Sequence, residues 1–252
     1  MGDPRTLYLD LMEKVITNTI YGDPDQAPWG KGTFDPEKRE SGLDWPTVAH
    51  SMIGAKRLGN LRTLCERAFT EGVPGDFIET GVWRGGACIL MRAVIAAYGD
   101  AARKVICADS FAGLPPPSPD AYPADLNDRH HEFDQLAIPL EQVQDNFRRY
   151  ELLDEQVVFL KGLFKDTLPG LSAERFAVIR CDGDMYESTI QALEALYPRL
   201  SPGGFLIIDD YGAIPACRAA VEDYRTQNGI DAEKHQVDWT GIWWQKPAEA
   251  KA

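Results

Sequence analysis

"RFAVIRCDGDMYESTIQALEALYPRLSPGGFLIIDDYG", residues 175–212, decides how the chain folds. It opens on an apolar run, 175–184, that stops at Asp182 and Asp184. It closes on a second apolar run, 203–212, that stops at Asp209 and Asp210, and residues 188–200 between them read as a helix. Near-continuous apolar strands joined by a helix describe a mainly parallel sheet covered on both faces. Consecutive strands of such a sheet are usually neighbours, about 5 Å apart. Ligands bind beyond the carboxyl ends of those strands. Carboxylates at the mouth of a core cost solvation free energy unless something compensates. A metal ion, a proton-transfer task or a hydroxyl to grip would each serve.

The same alternation extends outward. Strands are expected at 76–83, 104–111 and 156–162, and helices at 85–99, 141–152 and 214–229. A closing hairpin is expected at 234–247, turning near Thr240 and Gly241. Toward the N-terminus, residues 5–21 carry Leu7, Leu11, Val15, Ile16 and Ile20 at helical spacing. Residues 22–44, rich in Gly, Asp, Pro and Lys, read as a mobile connector, and 45–72 as a second helical stretch, broken at Gly54 or Gly59. Residues 112–140 form a long Pro/Asp/His-rich loop.

Composition narrows the function. The 252 residues can bury one sizeable core, and 44% hydrophobic with 26% charged residues is ordinary for a globular domain. A net charge of −13 argues against a nucleic-acid backbone as partner. No stretch approaches the ~20 apolar residues of a membrane span, so the expected location is cytoplasmic. Cys65, Cys88, Cys107, Cys181 and Cys217 form no C-x-x-C pair and are expected as buried free thiols. Of the six tryptophans, Trp239, Trp243 and Trp244 are expected in the sheet core, while Trp45 is a candidate to face a ligand.

Each strand end carries chemistry. In "ETGVWRGG", Glu79–Gly86, the glycines let backbone approach a ligand, and the following helix presents free N–H groups. Asp109 ends the next strand, where an acid commonly holds ribose hydroxyls. Together they point to a nucleoside-containing cofactor. Asp182, Asp209 and Asp210 can converge on one ion, and carboxylate oxygens suit Mg²⁺ or Ca²⁺ better than zinc. Asp184 is then spare and can act as general base. His130 and His131 on the long loop are rival bases, and His50 and His235 read as structural.

The ordered motifs "DWPTVAHSMIGAKRLGNL", "VPGDFIETGVWRGGACI", "ADSFAGLP", "FKDTLP", "RCDGDMYEST" and "YPRLSPGGFLIIDDYG" span nearly the whole chain. They resemble the class I S-adenosylmethionine methyltransferases, and more narrowly the macrocin O-methyltransferase family. The resemblance implies a Rossmann-like α/β fold with a seven-stranded sheet, mainly parallel, and helices on both faces. It implies an N-terminal helical lid over 1–72 and a methyltransferase domain over 73–252. It implies O-methylation of a deoxysugar hydroxyl in an antibiotic or related natural product such as a macrolide glycoside, using S-adenosylmethionine and Mg²⁺, by a homo-oligomer.

By position, Glu79, Thr80, Gly81, Arg84 and Gly85 match the methionine- and ribose-side cofactor loop. Asp109 and Ser110 match ribose and adenine contacts, Gly162 and Leu163 line the adenine, and Met52 reaches the cofactor from the N-terminal region. Asp182 is counted beside the cofactor and, with Asp209 and Asp210, as a metal ligand. Asp184 matches the base and, with Trp45, the substrate contacts. Trp45 stands where the family often has Tyr, Cys181 precedes the first acid where relatives vary, and the 112–140 loop looks variable. Those departures bear on which sugar and hydroxyl are used. A catechol-type diol methyltransferase and a metal-dependent hydrolase are the alternatives.

Overall fold

The chain builds its sheet in a computed structural model that describes residues 2–173 and 175–248. Residues 249–252 of the expected second region lie outside the described residues. In chain order the elements are α1 (Pro4–Ile16), α2 (Pro36–Ser41), α3 (Gly54–Thr70), β1 (Asp76–Thr80), α4 (Gly86–Tyr98), β2 (Val105–Asp109), α5 (Leu140–Arg149), β3 (Val157–Lys161), α6 (Phe164–Thr167), β4 (Phe176–Cys181), α7 (Tyr186–Leu196), β5 (Leu200–Ile208), α8 (Pro215–Gln227), β6 (His235–Gln236) and β7 (Ile242–Gln245).

The seven strands lie in the order β3-β2-β1-β4-β5-β7-β6. The first five are parallel, and β7 runs antiparallel to both β5 and β6. The chain winds outward from β1 to β3 and then returns to β4 on the other side. The carboxyl ends of β1 and β4 therefore flank the switch point where this topology opens a crevice. Two-residue periodicity sorts the strand side chains between faces. Phe77, Val105, Cys107, Phe205 and Ile207 join side chains of α1, α3, α4 and α5 in one buried cluster. Ile78, Ile106, Ala108, Leu206 and Ile208 join those of α7 and α8 in the other. All five cysteines are buried and unbridged. Trp244 is fully buried and Trp243 partly so, but Trp239 lies before β7 and is 45% exposed, outside the sheet core.

The N-terminal third departs most from the sequence pattern. The α1 helix stops at Ile16, and it buries Leu9, Met12 and Ile16 against α4 while Leu7 and Leu11 stay 55% and 53% exposed. Of the apolar residues expected to mark the helix only Ile16 is buried; Val15 and Ile20 are also exposed, and Leu9 and Met12 complete the docked face. Residues 45–53 are not helical, because side chains satisfy their backbone groups. The Asp23 carboxylate accepts from the N–H of Val48 and Ala49 at 2.9 and 2.6 Å, and Asp25 accepts from Trp45 N–H at 3.1 Å. The α3 helix begins at Gly54 (φ +78°), where a Cβ would lie 2.3 Å from the Gly42 nitrogen, and runs unbroken through Gly59.

The expected connector is instead a folded segment holding α2 and a fully buried ion pair. Arg39 donates to both oxygens of Asp44, at 3.1 and 2.6 Å, and to the carbonyls of Thr17 and Asp23, each at 2.7 Å. Removing one partner of a buried pair leaves an uncompensated charge, so Arg39→Ala is expected to cost about 3–5 kcal/mol. Urea unfolding measures that loss, and limited proteolysis should cut first within residues 17–50.

Candidate active site

The ends of β4 and β5 bring three acids together. Asp182 N–H donates to Thr80 O and Asp209 N–H to Cys181 O, at 2.8 and 2.9 Å, so the ladder continues one residue past each strand. One carboxylate oxygen each from Asp182, Asp209 and Asp210 lies within 4.8 Å of the others. Two arginines that the sequence reading did not single out organise them. Arg180, buried on β4, donates to Glu79, to Asp182 at 2.7 Å and to Asp209. Arg57 of α3 donates to the other oxygen of Asp209 and to Asp238 at 3.1 Å. A signal for Arg180 existed: a cation inside an apolar strand, two residues before Asp182 and so on the same side of the pleat. Arg57 had none.

The three acids and Arg57 line a cavity of about 550 Å³, within the usual range for a small-molecule site. Met52, Glu79, Gly81, Asp109, Ser110, Gly162, Leu163, Asp182, Asp184 and Trp45 all line it, with Asp209 and Asp210. Gly81 is there because nothing larger fits: at φ +86° a Cβ would sit 1.6 Å from the Asp182 carbonyl oxygen. Both carboxylate oxygens of Asp109 accept backbone N–H groups, from Val82 at 2.6 Å and Phe111 at 2.7 Å. The Ser110 hydroxyl is engaged within its own turn, donating to Gly113 O at 2.6 Å.

Thr80, Arg84 and Gly85 stand behind this lining. Thr80 contributes its carbonyl to Asp182, and Gly85 caps α4. Arg84 donates to the carbonyls of Pro46 and Ala49 at 3.1 and 3.0 Å, pinning the N-terminal wall to the turn between β1 and α4.

Asp184 occupies a conformation unusual for a side chain larger than glycine (φ +58°), and its N–H donates to Asp210 at 3.1 Å. Its carboxylate faces His130, with Oδ1 4.0 Å from Nε2. Trp29, Trp45 and Phe133 meet edge-on, with ring centroids 4.9–6.1 Å apart, and Trp239 lines the cavity nearby. Trp29, Phe133 and Trp239 were not anticipated here, since Trp29 and Phe133 depend on how the two long loops fold and Trp239 on the turn between β6 and β7. His50 is held by the Tyr150 hydroxyl at 2.7 Å, and His235 stacks on Trp243.

Burial first, and then the crowding of like charges, raises the Asp182, Asp184 and Asp210 carboxyls above their ordinary range. Arg57 is shared between Asp209 and Asp238, and Arg180 among Asp209, Asp182 and Glu79, so Asp182 is only partly compensated and Asp210 pairs with neither arginine. An all-oxygen donor set with unbalanced negative charge fits a hard divalent cation.

A doubly wound sheet of this order, with a glycine turn after β1, an acid after β2 and acids after β4 and β5, defines a class I methyltransferase, a fold that takes S-adenosylmethionine as methyl donor. Residues 5–246 match the family described as macrocin-O-methyltransferase (TylF), and the chain belongs to that family. It is 57% identical to the 8-demethyl-8-(2,3-dimethoxy-alpha-L-rhamnosyl)-tetracenomycin-C 4'-O-methyltransferase of Streptomyces olivaceus, over 98% of this chain and 95% of that one. It is 50% identical to the mycinamicin III 3''-O-methyltransferase of Micromonospora griseorubida, over 96% and 97%. The solved O-methyltransferase NovP superposes with a TM-score of 0.93 at 48% identity, over 96% of this chain and 99% of that one. The chain is an O-methyltransferase, which sets aside the hydrolase alternative. No helix among the described residues is long and apolar enough to cross a membrane.

The raised carboxyls have a pH signature. A carboxyl raised above its unfolded value stabilises fully at low pH and loses that contribution as pH climbs toward its folded value, about 8 for Asp182. His50, buried and depressed to about 4, contributes in the opposite sense, but that contribution is complete above 6.5. Protein stripped of divalent ions is therefore expected to melt at lower temperature as pH rises from 6.5 to 8. Asp182→Asn should flatten that fall, and thermal unfolding in chelator reads both.

Proposed function

We propose that this enzyme methylates a ring hydroxyl of a rhamnose-type deoxysugar in a glycosylated natural product such as a macrolide. Asp182, Asp209 and Asp210 would hold Mg²⁺. The carrying observation is the division among the four rim acids: three share one small volume, and the fourth, Asp184, faces the cavity beside them. Relatives named for methylating a rhamnosyl group and a mycinamicin support the sugar. When bound, the cation supplies positive charge that acidifies a neighbouring hydroxyl.

The chain's own residues divide the remaining work. Glu79 and Gly81 would hold the methionine end of the donor, Asp109 its ribose, and Ser110, Gly162 and Leu163 its adenine. Met52 closes over it from the N-terminal side. Thr80, Arg84 and Gly85 act through the loop they shape. Asp184 removes the proton from the accepting hydroxyl. The resulting alkoxide would accept the methyl group that the donor supplies, an O–C bond forming as the donor's C–S bond breaks and S-adenosylhomocysteine leaves. Positioning and charge stabilisation supply most of the rate.

Residues 1–72 serve as the lid, with Trp45 against the acceptor. The exposed Leu7 and Leu11 of α1 suit a homo-oligomer, and five unbridged thiols suit the cytoplasm.

Asp184→Asn is expected to lower kcat at least ~10²-fold while binding of S-adenosylhomocysteine and Mg²⁺, read by calorimetry, persists. Turnover at the parent rate would remove Asp184 as the base. Assay against rhamnosylated glycosides and a catechol separates the sugar reading from the diol alternative, which predicts turnover of the catechol.

A further inference from the structure

The long loop between β2 and α5 carries a histidine that the chemistry above leaves unused. The loop is anchored at two places. Asp125, buried, accepts from the N–H groups of Tyr186 and Glu187 at 2.7 and 2.9 Å, capping the start of α7. Trp83, in the cofactor turn, donates its indole N–H to Gln135 O at 2.9 Å. Between these anchors Asp128 grips His130 twice, accepting from its backbone N–H at 3.0 Å and bonding its Nδ1 at 2.7 Å. The Phe133 ring lies 6.4 Å away, edge-on. The free Nε2 is thereby aimed into the cavity, 4.0 Å from Asp184 Oδ1.

That gap is too long for a hydrogen bond and the right width for a shared partner. An oxygen about 2.8 Å from each atom fits between them with good geometry at both. We propose that His130 is a further catalytic residue of the methyl transfer: its Nε2–H donates to the accepting oxygen that Asp184 deprotonates, with Asp128 fixing the ring. The inference rests on the sugar-hydroxyl reading above. Asp128 on the loop and Asp184 on the β4–α7 turn are the charged groups that face the imidazole, and both favour its protonated form. With Nδ1 committed to Asp128, only that form presents a donor at Nε2. The developing alkoxide then gains a donor on one side as its proton leaves on the other.

The protein with a turned-over glycoside provides the test. His130→Ala is expected to lower kcat about 10²-fold, the scale of losing one oxyanion donor, with S-adenosylhomocysteine affinity unchanged. Added imidazole should restore part of the rate. His130→Gln, which keeps an N–H donor at similar reach, should retain far more activity than His130→Ala, and Asp128→Asn should fall between wild type and His130→Ala. A rate in His130→Ala within threefold of wild type would overturn the inference. So would His130→Gln as inactive as His130→Ala but rescued by imidazole, since His130 would then be a proton acceptor. Wild-type protein inactive on every glycoside would sink the sugar reading and this one together, whereas a normal wild-type rate untouched by the substitutions sinks this one alone.

Discussion

A guanidinium buried among carboxylates holds this molecule's working edge together. Arg180 sits on β4, almost wholly out of water, and reaches Glu79 at the end of β1, Asp182 just past β4 and Asp209 just past β5. An isolated buried charge is prohibitively costly, and a buried pair is tolerated only when its hydrogen bonds are made. The acids are required at the carboxyl edge of the sheet because that edge is where the crevice opens. Arg180 lets three strand ends carry acids side by side without forcing them apart, and the carboxylates in turn hold it charged. The compensation is incomplete, and the residual negative charge is what would favour a cation at this edge.

The walls of the cavity are tied to that edge from three directions. Arg57 brings the start of α3 to Asp209 and, through Asp238, to the turn ahead of β7. Arg84 holds the 46–49 segment against the turn between β1 and α4, and Arg39 organises the chain around it from behind. Asp125 and Trp83 fix the long loop across the mouth. Each tether is one polar side chain satisfying buried backbone or carboxylate groups, which is how a region poor in regular structure becomes a wall.

The sheet and its acids were legible because their signals are local. An apolar run followed by an acid reads the same wherever it sits, and the five parallel strands and their helices fell near the expected places. The motif resemblance added the cofactor loop. The N-terminal region was not legible. A stretch such as "FDPEKRESGLDW", 34–45, looks like a connector because the partners that bury Arg39 are carbonyls at Thr17 and Asp23, which no periodicity displays. Spacing alone marked Leu7, Leu11 and Val15 of α1, and only docking on α4 shows that Leu9, Met12 and Ile16 are the buried ones. Trp239 looked like sheet core because it neighbours residues that are, yet it precedes the strand by three positions.

By itself the sequence determined the alternation of strands and helices, the carboxyl-edge placement of Glu79, Asp109, Asp182, Asp209 and Asp210, and membership in a family of O-methyltransferases. Those follow from hydrophobic period and motif order, which are properties of neighbouring residues. Only the tertiary structure decided that Arg57 and Arg180 converge on one carboxylate, that Trp29 and Trp45 line the cavity and meet Phe133 edge-on, and that His130 faces Asp184. These contacts join residues tens to more than a hundred positions apart. Their energies come from burial and charge balance that exist only once the chain has closed on itself.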